Sequence, residues 1–405
     1  MLTVDEALNK LLSHIHPLGF EKVSLLDALG RVIAEDIIAP RDLPPYDNSG
    51  MDGYAVRYED IRDASEKNPV QLEVIEDLRA GFFSEKIVQK GQAVRIMTGA
   101  PIPKGADSVV PVEETERGDS FVIILRSVSQ RRYIRRAGED VKKGDLVISA
   151  GDMIRPSEIG MLASVGRSFI SVYQRPSVAI LCTGEELVDV GESLNGAKIV
   201  SSNSYTLAAQ VKECGAIPVQ LGIAKDQKDE IKEKILQGLW ADVFISSAGV
   251  SVGDYDFVKD VLKELGVELI FWKVAMKPGK PVAFWMFKGK PIFSLPGNPV
   301  SSMVTFEQFV RPSLLKMMGY RQLFRPVIEA FLKEDIRKEP RKKHFIRALV
   351  SYGNEGYSVT TTGPQGSGIL RSMVRANGLI ILPEDCGLVK AGEKVKVQLL
   401  NSSEL

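Results

Sequence analysis

From about Ser177 to Gly319 apolar runs of strand length alternate with helical stretches, and that alternation restricts the segment to a mostly parallel sheet with helices on both faces. The pattern reads as strand Val178–Leu181, helix Ser204–Cys214, strand Ile217–Gly222, helix Gln227–Leu239, strand Val243–Ser246, helix Asp256–Leu265 and strand Val267–Trp272. Val282–Phe287 and Ile292–Leu295 then read as a hairpin turning near Gly289. A long helix follows to about Met318, with Asn298 at the N-cap and Pro299 at N1. Open sheets of this kind bind ligands beyond the carboxyl ends of their strands. The strand-end loops are therefore the places to search for chemistry.

The flanks follow a different pattern. Thr3 to Glu6 forms a capping box that opens a helix through about His14. Ser24 to Asp27 caps a second short helix, stopped by Gly30, and Ser157 caps another through about Ser164. Between Pro44 and about Asp140 the sequence is a β-rich lobe, with strands at Gln71–Ile75, Ala93–Met97, Ser108–Val112 and Phe121–Leu125. After Gly319 short strands at Pro326–Leu332, Phe345–Val350, Tyr357–Thr361, Gly378–Leu382 and Lys394–Leu399 point to a small all-β domain of barrel type. At 405 residues the chain exceeds one ordinary core, which agrees with two to four domains.

Composition removes several classes of function. Lys+Arg and Asp+Glu are both 52, so there is no basic excess for bulk nucleic-acid binding. No apolar run reaches bilayer length, and the acidic, amphipathic start lacks the layout of a signal peptide. A cytoplasmic location is the expectation. Three scattered cysteines form neither a zinc pattern nor a disulfide framework, and three histidines leave little room for a histidine cage or triad. The sheet segment has neither Gly-x-Gly-x-x-Gly after its first strand nor a Walker A sequence, which counts against a dinucleotide dehydrogenase and a P-loop NTPase.

Three Gly- or Pro-rich loops remain: Ala248-Gly-Val-Ser-Val-Gly-Asp-Tyr-Asp256, Met276-Lys-Pro-Gly-Lys-Pro281 and Leu295-Pro-Gly-Asn-Pro-Val-Ser301. Such loops offer backbone N–H groups to an anion. Gly249, Ser251 and Gly253 belong to the first, and Pro296, Gly297 and Asn298 to the third. Lys277 and Lys280 flank a stiff Pro-Gly pair, a spacing suited to a polyanion. Asp254 and Asp256 supply carboxylates, and carboxylates beside a phosphate site commonly hold Mg2+. After the first strand, Thr183-Gly184-Glu185-Glu186 lets backbone approach a ligand while Glu186 meets a hydroxyl, a ring nitrogen or a metal. An N-cap role alone accounts for Asp226 before its helix, with a ligand role as the alternative. Gln365-Gly-Ser-Gly368 can present N–H groups and Ser367 to an anion, with Arg347 as a candidate companion. The combination suggests a site for a phosphorylated ligand with a divalent metal.

Taken together, the segments resemble the molybdopterin molybdenumtransferase family, to which the C-terminal part of gephyrin also belongs. The resemblance covers essentially the whole chain. Its most specific parts are Asn48-Ser-Gly-Met-Asp-Gly-Tyr-Ala-Val56, Gly249-Val-Ser-Val-Gly253, Lys277-Pro-Gly-Lys280 and Leu295-Pro-Gly-Asn-Pro-Val300. Gly50 departs from the alanine common in relatives. The resemblance implies an elongated homodimer of multidomain α/β and β class. A composite N-terminal unit (1–44 plus 141–176) would surround an inserted β-rich lobe (45–140). A central doubly wound molybdopterin-binding α/β domain (177–320) and a small C-terminal β-barrel (321–405) would follow. It implies molybdenum insertion from molybdate into adenylylated molybdopterin, with AMP release assisted by Mg2+, in a cleft between the third domain of one subunit and the second of its partner. Carried over by motif, Asp52, Thr98, Asp140, Glu186, Asp256, Lys277 and Lys280 would be catalytic. Arg135, Asp226, Arg347 and Ser367 would bind substrate, and Glu186, Asp226 and Asp256 would hold the metal. Other enzymes of molybdenum cofactor biosynthesis are the expected partners. The rival readings are a molybdopterin adenylyltransferase, which needs only Ser177 to Gly319, and a gephyrin-like receptor-anchoring scaffold. Tungstate in place of molybdate is a further alternative.

Overall fold

The structure, a computed structural model, describes residues 1–248 and 257–400. Its α/β unit is built on six strands: β1 (Ser177–Thr183), β2 (Ile217–Ala224), β3 (Val243–Ser247), β4 (Glu268–Trp272), β5 (Ala283–Phe287) and β6 (Lys290–Leu295). They lie in the order β2-β1-β3-β6-β5-β4. The first four in that order run parallel; β5 runs opposite to them, and β4, antiparallel to β5, runs with them again. The expected hairpin is β5–β6.

Helices cover both faces. They are α1 (Ser202–Glu213), α2 (Lys228–Gly238), α3 (Phe257–Glu264), α4 (Pro299–Thr305) and α5 (Arg311–Met317). The strand pleat divides β1 between two cores. Val178 and Ile180 cluster with Leu207 and Val211 of α1, whereas Ala179 and Leu181 cluster with Ile231 of α2 and Val261 of α3. Each fully buried Val, Leu or Ile side chain here stabilises by roughly 1.5–3 kcal/mol. A strand covered on both sides needs this unbroken apolar run.

Several local expectations change. The long final helix carries a π segment at Phe306–Val310 between α4 and α5. It sits just before Pro312, whose missing N–H already interrupts the α-helical bonding. Gln227 occupies the N-cap of α2 without a side-chain bond, so Asp226 is not the cap. Ser157 is likewise inside its helix (Pro156–Ser164): Arg155 stands at the N-cap, and Pro156 opens the first turn. The first helix, Val4–Leu12, packs Val4, Ala7 and Leu11 into the α/β core rather than into the N-terminal unit.

That N-terminal unit pairs strand Phe20–Ser24 with Phe169–Tyr173 and Ile37–Ile38 with Leu146–Ile148. Ile33 and Ile37 share one cluster with Val141, Ile148, Leu162 and Val172. Between those stretches the inserted lobe forms a six-stranded sheet that includes Gly53–Val56, Val70–Leu78 and Gln92–Ile96. The C-terminal unit is a closed five-stranded barrel. Strand Lys343–Gly353 pairs with both Gly356–Thr361 and Gly378–Leu382, and Val327–Leu332 and Lys394–Leu399 complete the ring.

Two contacts tie the barrel to the α/β unit beside its strand-end loops. Met276–Lys277 pairs with Lys343 and His344 of the barrel. The Val300 N–H in α4 donates to the Ser367 carbonyl at 3.1 Å. Farther off, Arg325 donates to buried Glu307 of the π segment at 2.8 Å and to the Leu400 carbonyl at 2.6 Å.

Candidate active site

A cavity of about 440 Å³ opens at the carboxyl ends of β1, β3 and β6. Thr183 contributes the end of β1, Ser247 and Ala248 the end of β3, and Pro296, Gly297 and Asn298 the turn from β6 into α4. Ser201 to Asn203, at the start of α1, line another side. Ile199 and Val200 form a further wall; they pair in parallel with Leu187 and Val188. Glu186 reaches the cavity, and Gly184 is what permits its position. A Cβ on Gly184 would stand 2.7 Å from a Glu186 carboxylate oxygen.

The acids gather on one flank. The Asp226 carboxylate follows β2 and accepts the Glu185 N–H at 3.4 Å. Burial raises its pKa, and the charges of Glu186 and Glu185 raise it further. Mutually repelling oxygen donors fit a hard divalent cation better than a buried structural role. Among the described residues no group of three His, Cys, Asp or Glu side chains forms a metal cage. Asp256, expected as the third acid, lies outside the described residues, as do Gly249, Ser251 and Gly253.

A loop with two lysines runs up to the cavity wall. Lys277 and Lys280 are exposed, and Pro281 next to them lines the cavity. Gly279 between them has φ +102, and an added Cβ would stand 2.4 Å from Thr305 Cγ2 of α4. Only glycine lets this loop lie on the helix. Gly279→Ala is therefore expected to lower stability by about 2 kcal/mol, from left-handed strain plus the clash, as a shift in the urea midpoint. An unchanged midpoint would refute the packing argument.

His344 registers the same positive surroundings. Burial, then the charges of Lys338, Lys277 and Lys342, hold its pKa down to about 4 from a usual value of 6.5. The folded state therefore keeps the imidazole neutral, and the unfolded state takes up the proton first. The sign follows: this contribution to stability is complete above about pH 6.5 and is lost as pH drops toward 4. His344→Phe should flatten the melting temperature over that window. Equal acid sensitivity in both proteins would remove His344 as the cause.

Arg347 differs from expectation. It is 1% exposed, and its guanidinium donates to Ser372 Oγ at 3.1 Å and to the Gly366 carbonyl at 3.0 Å. It accordingly braces the Gln365-Gly-Ser-Gly368 loop from behind. Ser367 stands on that loop, which its own carbonyl joins to α4. Asn298 holds the N-cap position without a side-chain bond.

Four expected residues belong to or border the inserted lobe and do not line the cavity of their own chain. Asp52 Oδ1 accepts both the Thr98 N–H and the Thr98 hydroxyl, each at 2.7 Å. Those two bonds hold its carboxyl below the usual range. Arg135 pairs in register with Asn48, and the Asp140 N–H donates to the Leu43 carbonyl at 3.1 Å. The sequence reading missed Ser201, Asn203 and Ser247 as cavity residues. The cluster Ser201-Ser-Asn-Ser204, small and polar at a helix start after a strand, was the available signal.

Comparison with known proteins bears on the whole chain. Residues 2–166 match the MoeA N-terminal region (domain I and II), residues 179–316 a probable molybdopterin binding domain, and residues 329–400 the MoeA C-terminal region (domain IV). Molybdopterin molybdenumtransferase 2 of Mycobacterium tuberculosis is 40% identical over 93% of this chain and 94% of its own length. Molybdopterin molybdenumtransferase of Staphylococcus aureus is 36% identical over 99% of this chain and 96% of its own length. The crystal structure of molybdopterin biosynthesis moeA protein from Pyrococcus horikoshii OT3 superposes with a TM-score of 0.84 at 34% identity, covering 98% of this chain and 100% of that one. The fold, the strand-end cavity and full-length similarity agree: the chain belongs to the molybdopterin molybdenumtransferase family.

Proposed function

We propose that this protein is a transferase of molybdenum cofactor biosynthesis that inserts molybdenum from molybdate into adenylylated molybdopterin and releases AMP. The observation that carries the reading is the strand-end cavity itself, with Glu186 in its wall and the Lys277–Lys280 loop meeting it at Pro281. A substrate with a pyrophosphate in its middle and an oxyanion beside it calls for that division of charge.

Each group has a role. Lys277 and Lys280 hold the molybdate oxyanion and the pyrophosphate as fixed positive charges. The backbone at Gly297 and Asn298, at the opening of α4, adds helix-start polarity. Glu186 and Asp226 are the described carboxylates suited to Mg2+, which when bound neutralises charge on the pyrophosphate as AMP leaves. Asp52, with its charge fixed by two bonds from Thr98, serves as a positioning acid. Positioning and charge stabilisation supply the rate, and no Ser or Cys nucleophile is required.

The same reading includes a homodimer. Asp52, Thr98, Arg135 and Asp140 reach a cleft only when a second copy brings its inserted lobe to this cavity. We also assign the composite N-terminal unit, inserted lobe, α/β domain and barrel as four domains, and a cytoplasmic location. An enzyme that adenylylates molybdopterin must supply the substrate. Purified protein should release AMP from adenylylated molybdopterin faster when molybdate is added. Pyrophosphate formed from ATP and molybdopterin would instead support adenylyl transfer.

A further inference from the structure

The chain carries no net charge, yet its barrel concentrates cations in one turn: Arg337, Lys338, Arg341, Lys342 and Lys343, with Glu339 among them. The turn is pinned on two sides. On one, Ile336–Arg337 pairs with Leu388–Val389, the Lys338 N–H donates to the Gly387 carbonyl at 2.9 Å, and the Arg341 N–H donates to the Glu384 carbonyl at 2.7 Å. On the other, Lys343 and His344 pair with Met276–Lys277, and the Lys343 N–H donates to the Ala275 carbonyl at 2.9 Å. The turn therefore adjoins the Lys277–Lys280 loop, which meets the cavity wall at Pro281. Burial, then the charges of Lys338, Lys277 and Lys342, lower the pKa of His344, so cations from both units act on one point.

Little of this charge is neutralised within the protein. Lys343 bonds to Asp5 at 2.6 Å. Among the described residues Arg337, Lys338, Arg341, Lys342, Lys277 and Lys280 form no ion pair. Against them stand Glu339, Glu384 and Asp385, which leaves a positive excess. The large exposed apolar side chain of the turn and its pairing strand is Leu388, and no aromatic anchor of a protein-docking site accompanies it. Such a surface suits a small, multiply charged anion drawn in by the field. We propose that the Arg337–Lys343 turn and the Lys277–Lys280 loop form one basic surface that collects the polyanionic substrate from solution and steers it into the cavity. The inference rests on the functional reading above and adds an entry route to it. Arg337, Arg341 and Lys342 act before the substrate is seated and touch none of the reacting atoms.

The test is kcat/KM for AMP release from adenylylated molybdopterin with molybdate, at ionic strengths of roughly 0.01 M and 1 M, where charges are screened beyond about 30 Å and about 3 Å. The triple variant Arg337→Glu, Arg341→Glu, Lys342→Glu should lower kcat/KM about 10- to 100-fold at the low ionic strength. It should leave kcat unchanged and match wild type at the high one. Arg337→Lys, Arg341→Lys, Lys342→Arg keeps every charge and should behave as wild type at both. A deficit that persists in full at high salt, or a kcat that falls with it, is what a merely structural role gives and would overturn the proposal. Equal kcat/KM for wild type and the glutamate variant at low salt would overturn it too, and would leave the surface to an acidic protein partner. A wild type that turns over but ignores salt would sink the entry route alone. If wild-type protein released no AMP, the functional reading would fail and the route with it.

Discussion

Mixing Asp52→Ala subunits with Glu186→Ala subunits is expected to restore about a quarter of wild-type turnover from two proteins that are each inactive. The Asp52 side chain is exposed and bonds to Thr98, and its backbone bond from Val112 survives the substitution, so its loss should leave the fold and melting temperature unchanged. It nevertheless lies outside the cavity that Glu186 lines in the same chain. If the inserted lobe of one copy completes the cavity of the other, a mixed dimer has one cleft with both residues and one with neither. Random reassociation makes half the dimers mixed, and half of their clefts are intact. Should the lobe serve the cavity of its own chain, no cleft in any dimer would be whole and no activity would return. Turnover after co-refolding, against each variant alone, decides between the two.

Glu186→Gln should lower kcat by about 100- to 1000-fold while the protein stays folded, the scale for removing one preorganised electrostatic group. The variant carries a second signature. Burial and the Glu186 and Glu185 charges raise the Asp226 pKa, so Asp226 loses its proton at higher pH than an ordinary aspartate. Wild-type kcat/KM should therefore rise with pH through that displaced ionisation. Removing the Glu186 charge moves the Asp226 pKa back toward its ordinary value, and the acid limb of the profile should shift to lower pH. An unmoved acid limb would separate Asp226 from the reaction.

The α/β sheet was legible because each of its strands is an apolar run of strand length bounded by glycine, proline or a helix cap. The barrel strands were legible for a related reason, since Gly and Pro turns separate them. What escaped was set by tertiary contact. Nothing local says that Val4, Ala7 and Leu11 belong to the core of a sheet more than 160 residues away, or that a π segment precedes Pro312. Arg347 was placed by residue type, but burial and its bonds to Ser372 and Gly366 decide its role. Asn203 is fixed beside the cavity by its bond to the Gly297 carbonyl, 94 residues along the chain, a contact that no local pattern announces.

The electrostatic site has the same mixed origin. Glu186 and the lysine pair carry recognisable loops with them; Glu186 lines the hollow, and the lysine loop meets it at Pro281. The raised pKa of Asp226 comes first from burial and then from the charges of Glu186 and Glu185 on a different strand end, and no motif encodes it.

On the proposed function, the hollow at the ends of β1, β3 and β6 couples an oxyanion to the release of a nucleotide. The most direct measurement is AMP released from adenylylated molybdopterin by purified protein, with molybdate present and absent, for the wild type and for Lys280→Ala. Molybdate should accelerate AMP release in the wild type, with molybdenum appearing on the pterin in equal amount, and Lys280→Ala should lose that response. AMP release at one rate with or without molybdate, in both proteins alike, would contradict it.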